Sequence, residues 1–146
     1  MFPENHILAV EDDSDHFHLI EEAFRRGRVA NPLTRASTAA EAIACLNGDG
    51  RYADREKYPL PCLILLDLKL PGESGFAVLE WVRKHPTLGK LPVVVLTVSH
   101  HSDDLEKAYR LGANSYLVKP FDAADFQALV KSINSYWVLL AQKPRI

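Results

Sequence analysis

The chain has little to staple it from outside or to anchor it elsewhere. It contains only two cysteines in 146 residues, and Cys45 and Cys62 stand apart in apolar surroundings with no metal-ligand spacing. That argues against a disulfide framework or a zinc site and leaves two buried thiols in a reducing compartment as the expectation. No apolar stretch approaches the roughly 20 residues needed to cross a bilayer. The opening Met1-Phe2-Pro3-Glu4-Asn5 lacks the basic segment and apolar core of a secretory signal. Lysine and arginine are scattered, and the formal net charge is only −2, so neither composition nor patterning points to nucleic acid. Repeats and low-complexity tracts are also missing. The expectation is one cytoplasmic domain over residues 1–146 with no output domain, no membrane contact and no nucleic acid. Any output would then use the domain's own surface.

Short apolar runs that end in chemistry are what the chain does have. Leu8-Ala9-Val10 leads into Glu11-Asp12-Asp13, and Leu63-Ile64-Leu65-Leu66 leads into Asp67. Val93-Val94-Val95-Leu96 ends at Thr97, and Ser115-Tyr116-Leu117-Val118 ends at Lys119-Pro120. Runs of this length separated by helical periodicity read as buried parallel strands. Five strands are predicted, near 8–10, 33–36, 62–66, 92–96 and 115–118. The helices between them carry their own signals. Asp13 or Ser14 can cap the first, with Gly27 as its stop. Thr38-x-x-Glu41 forms a capping box for the second, Pro86 ends the third, and Ser102 caps the fourth, which Gly112 closes. The fifth runs from about 122 to 140. The polar stretch 47–61, with Gly48, Gly50, Pro59 and Pro61, reads as an extended loop. Strands alternating with helices and right-handed crossovers predict a doubly wound α/β fold, a five-stranded parallel sheet of the flavodoxin-like type.

In such sheets ligands bind outside the carboxyl ends of the strands, where strand order reverses. With order 2-1-3-4-5, Glu11, Asp12 and Asp67 converge there. Two like charges about 4 Å apart repel by about 4 kcal/mol at an effective dielectric near 20, so three carboxylates call for a cation. Oxygen-only ligation suits Mg²⁺. A carboxylate can attack phosphorus to give an aspartyl phosphate, and the Thr97 hydroxyl and Lys119 ammonium can bind the oxygens of the transferred group. Taken singly, each residue has a plainer reading: the acids as helix caps, Lys119 as a lysine before a turn, Thr97 as a strand end. His100-His101 reads as a solvated loop, because adjacent histidines point apart and no third ligand is near in sequence.

Val10-Glu11-Asp12-Asp13, Leu66-Asp67-Leu68-Lys69-Leu70-Pro71-Gly72-Glu73-Ser74-Gly75, Leu96-Thr97 and Tyr116-Leu117-Val118-Lys119-Pro120-Phe121 resemble, in order and spacing, the receiver domain of two-component response regulators. The likeness covers residues 6 to about 140. It implies that Asp67 is the phosphoacceptor, that Glu11, Asp12 and the backbone carbonyl of Lys69 join Asp67 around Mg²⁺, and that Lys119 pairs with the phosphoryl group. It further implies that Thr97 moves to contact that group, that Tyr116 reports the switch, and that the bond before Pro120 is cis. A sensor histidine kinase would be the phosphate donor, and the chain would be a signalling module that catalyses only its own phosphotransfer and dephosphorylation. The extended 47–61 loop and Ser135-Tyr136-Trp137 resemble the stand-alone receivers that partner bacterial phytochromes. Val98, after the threonine, is bulkier than the family's usual residue and is expected to restrict access to Asp67.

Two other classes compete. A small-molecule phosphatase or phosphotransferase using an aspartyl phosphate would carry a second acid two residues after the nucleophile, where this chain has Lys69, and a cap domain. A flavin carrier would need a phosphate-cradling loop after the first strand, where this chain has carboxylates. The last helix adds an expectation about assembly. Tyr136, Val138, Leu139 and Leu140 widen its apolar face beyond what one sheet covers, which predicts a homodimer on the fourth helix, fifth strand and fifth helix.

Overall fold

The computed structural model describes residues 6–26 and 33–140, the last three of these by backbone alone. Its strands are β1 (Ile7–Val10), β2 (Leu33–Ala36), β3 (Leu63–Leu66), β4 (Val93–Thr97) and β5 (Ser115–Val118). All pair in parallel in the order β2-β1-β3-β4-β5, as expected. The helices are α1 (Ser14–Arg26), α2 (Ala39–Asn47), α3 (Gly75–Lys84), α4 (Ser102–Arg110) and α5 (Ala123–Ile133).

Because strand side chains alternate between faces, the sheet supports two separate cores. Leu8, Val10, Ile64, Leu66, Val93 and Val95 face α2, α3 and Ala108 of α4. Ile7, Leu63, Leu65, Val94 and Leu96 face the other way, against Ile20 and Phe24 of α1 and Phe126, Val130 and Ile133 of α5. The three inner strands are buried along their whole length. Continuous apolar runs are what a strand covered on both faces requires.

Local signals mostly act as the sequence suggests. Asp13 caps α1, its Oδ1 accepting from the backbone N–H of Asp15 and His16. Thr38 caps α2 by accepting from the Glu41 backbone N–H, while the Glu41 carboxylate accepts from the Ser37 N–H one residue before the cap, and Asp122 caps α5. Gly112 takes a left-handed φ of 105° after α4. Gly27 lies outside the described residues.

Four expectations need correction. The segment 47–61 is folded rather than extended: Gly50–Ala53 forms a 3₁₀ turn. Arg55 donates to the carbonyls of Cys45 and Leu46 at the end of α2 and to that of Tyr58, which draws the segment onto the helix. Ser102 does not cap α4. It is the first helical residue, and the preceding His101 makes no side-chain cap. The last helix is α-helical only to Ile133 and continues as a π-helix over Asn134–Leu140. The bond before Pro120 is trans. An X–Pro bond prefers trans by about 0.5–1 kcal/mol, and in that isomer Lys119 still donates its backbone N–H to the Thr97 carbonyl at 2.7 Å. Of the thiols, Cys45 is buried and Cys62 half-buried. No helix among the described residues is long and apolar enough to cross a membrane.

Candidate functional site

Strand order reverses between β1 and β3, and the acids after these two strands meet at that point. Glu11, Asp12 and Asp67 each offer a carboxylate oxygen within 4.8 Å of the others. Backbone hydrogen bonds extend the sheet one residue past the strands to hold them, from Glu11 N–H to the Ala36 carbonyl and from Asp67 N–H to the Val10 carbonyl. Arg35, at the end of β2, donates to the carbonyls of both Glu11 and Asp12. Its guanidinium lies 5.4 Å from the Phe17 ring centroid, so a cation clamps the acidic turn from behind. Gly75 is required here by close approach, since a Cβ on it would fall 2.2 Å from the Asp67 carbonyl oxygen.

Lys119 enters from the end of β5 with its side chain only 2% exposed. Its ammonium donates to Glu11 Oε1 at 2.5 Å and to Asp67 Oδ2 at 2.8 Å. The other Asp67 oxygen accepts from the Lys69 backbone N–H at 3.0 Å. Glu11 and Asp67 are themselves 2% and 5% exposed. Desolvation pushes the Glu11 carboxyl up to about 7, with Lys119 opposing the rise and the Asp67 charge adding to it. A cluster whose burial raises a carboxyl this far is short of positive charge. Its all-oxygen donor set fits a hard divalent cation.

Thr97 is fully buried at the end of β4. Tyr116, half-buried on β5, donates its hydroxyl to the Ser99 carbonyl at 2.9 Å, and burial raises its phenol. Ser99 in turn donates to Asp104 of α4, so the loop after β4 is tied both to β5 and to the helix that follows. Sequence reasoning missed Ser99, Asp104, Arg35 and His16, whose Nδ1 lies 2.9 Å from Lys119 Nζ. Lys69 is exposed, and Val98 is exposed beside buried Thr97. His100 and His101 are exposed with stacked rings. Tyr136 is exposed and meets Trp137 edge-on, while the side chains of Val138, Leu139 and Leu140 lie outside the described residues.

A flavodoxin-like sheet carrying clustered acids and a buried lysine at its switch point is the build of a phosphorelay receiver. Comparison of the sequence agrees: residues 7–131 match the response regulator receiver domain family, and the chain belongs to it. It is a signalling domain, with an acidic cluster suited to cation-assisted phosphorylation of an aspartate. Among its relatives, the response regulator Rcp1 of Synechocystis sp. is 38% identical over 136 residues, covering 93% of this chain and 90% of Rcp1. The crystal structure of the phosphorylated cyanobacterial phytochrome response regulator RcpA superposes with a TM-score of 0.90 at 36% identity, over 96% of this chain and 98% of that one. The Mn²⁺-bound form of Rcp1 gives 0.88 at 36% identity, over 96% and 99%.

Proposed function

We propose that Asp67 accepts a phosphoryl group from a sensor histidine kinase and that Mg²⁺ is the cation of the site. The observation that carries this reading is the buried Lys119 ammonium, bonded to Asp67 Oδ2 within a cluster of three carboxylates. An Asp67 oxygen attacks phosphorus, the phosphorus–nitrogen bond of the donor phosphohistidine breaks, and the leaving imidazole takes a proton from solvent. Glu11, Asp12, Asp67 and the Lys69 carbonyl are the residues that would hold Mg²⁺, which when bound neutralises charge on the transferring group. Lys119 supplies the remaining positive charge from a site where water cannot screen it. Thr97 offers its hydroxyl to the phosphoryl oxygens, and Tyr116 reports the resulting movement of the loop through its bond to Ser99.

The kinase is proposed to be of the phytochrome type, because RcpA is described as a phytochrome response regulator; phosphotransfer from a bacteriophytochrome kinase, set against unrelated kinases, tests that partner. A homodimer on α4, β5 and α5, extended by Tyr136, Val138, Leu139 and Leu140, is proposed as the form that phosphorylation modulates. The exposed Leu105, Tyr109, Val118, Phe121 and Tyr136 support that surface.

Mass spectrometry of the intact protein after Mg²⁺ and acetyl phosphate treatment tests the phosphoacceptor. Wild type should gain one phosphoryl group and Asp67→Asn none. A label that persists in Asp67→Asn would remove the assignment.

A further inference from the structure

A lysine ammonium donates through three N–H bonds and accepts none. In Lys119 two go to Glu11 and Asp67, and the third meets His16 Nδ1 at 2.9 Å. Nδ1 is therefore the acceptor in this contact, which leaves Nε2 to carry the ring hydrogen. The ring is held in place from outside the pocket. It stacks on Phe126 of α5, with centroids 5.6 Å apart and planes 25° apart, and Phe126 is itself buried. Asp13 Oδ2 lies 3.6 Å from the same nitrogen, beyond hydrogen-bonding distance.

The three partners of Lys119 differ in what phosphorylation does to them. Asp67 becomes an acyl phosphate, and Glu11 is wanted by the cation. An imidazole nitrogen competes for neither role, since Mg²⁺ takes oxygen ligands. We propose that His16 is the positioning residue of Lys119. Its Nδ1 keeps the ammonium aimed at the phosphoryl oxygens while the two carboxylate contacts are exchanged. His16 neither takes the phosphoryl group nor transfers a proton. The proposal rests on Asp67 being the phosphoacceptor.

The test compares wild type, His16→Ala and His16→Asn in the full chain, the asparagine oxygen offering an acceptor in place of Nδ1. Three quantities are read: Mg²⁺ affinity alone, beryllofluoride affinity at saturating Mg²⁺, and the rate of acetyl phosphate labelling against donor concentration. His16→Ala should weaken beryllofluoride binding and lower the maximal labelling rate by about tenfold, with the half-saturating donor concentration and Mg²⁺ affinity within about twofold of wild type. His16→Asn should recover most of the loss. The proposal is overturned by a His16→Ala protein that binds beryllofluoride like wild type. It is equally overturned by a parallel loss of Mg²⁺ affinity, which marks local damage, or by an asparagine variant no better than alanine, which assigns the effect to ring stacking. If wild type itself binds no beryllofluoride, or Asp67→Asn binds it as tightly, the phosphoacceptor reading fails and takes this one with it.

Discussion

At Glu11 two opposed effects meet. Burial favours the neutral acid, the Lys119 ammonium favours the carboxylate, and the net result is a group raised from 4.5 to about 7. A carboxyl whose folded value exceeds its unfolded value binds its proton more tightly when folded. The cation-free protein therefore loses stability as pH rises from about 4.5 to about 7. The same proton competes with Mg²⁺. Affinity measured by calorimetry should climb between about pH 6 and about pH 8 and then level off, with proton release visible as a buffer-dependent heat below about pH 7. Glu11→Gln should flatten that climb, and a climb that survives the substitution would place the titrating group elsewhere. Glu11, Asp67, Thr97 and Lys119 were legible in the sequence because each ends an apolar run, where a parallel sheet concentrates its chemistry. His16 was not. Its contact with Lys119 spans 103 residues and depends on how α1 packs against α5, which no local pattern encodes.

Among the elements, α3 is tied to its surroundings by one side chain. Arg83 donates from Nε and Nη2 to the Gly112 carbonyl, from Nη1 to the carbonyls of Gly89 and Leu91, and from Nη2 to Asn114 Oδ1. It thereby staples the end of α3 to the approach to β4 and to the turn between α4 and β5. Burial lowers its guanidinium without displacing the charge from the physiological range. Removing it would leave several carbonyls unpaired, so Arg83→Ala should cost about 3 kcal/mol in urea unfolding, and Arg83→Lys should recover only part because a point charge cannot fork. A loss below about 0.5 kcal/mol would mean that water replaces the staple at no cost. Element existence was readable from periodicity and caps, yet side chains of this kind decide loop conformation. Arg55 does so for the 47–61 segment, where glycine and proline content suggested an extended path and a guanidinium on the last carbonyls of α2 imposes a compact one.

On the scale of the whole molecule, not every large apolar side chain is covered. Large apolar side chains remain exposed on α4, on β5, just after β5 and near the end of the last helix, at Leu105, Tyr109, Val118, Phe121 and Tyr136. Fully burying one large apolar side chain contributes about 1.5–3 kcal/mol, and several on each protomer offset the cost of association. Light scattering at tens of micromolar should therefore report a dimer for wild type and a monomer for Tyr109→Glu, with beryllofluoride shifting the wild-type equilibrium. A monomer in every state would leave a shuttle that meets its partners singly. The change from α to π winding at Asn134 bears on how that last helix is counted. A π turn takes in more residues than an α turn, so from Asn134 onward each residue advances less around the axis than a 3.6-residue period assumes. Trp137 still rests against the α1 side of the sheet, but the stripe drawn through Tyr136, Val138, Leu139 and Leu140 belongs to a differently pitched screw. A period of 3.6 residues laid along α5 therefore misplaces every position after Asn134 by an angle that grows to the end of the rod.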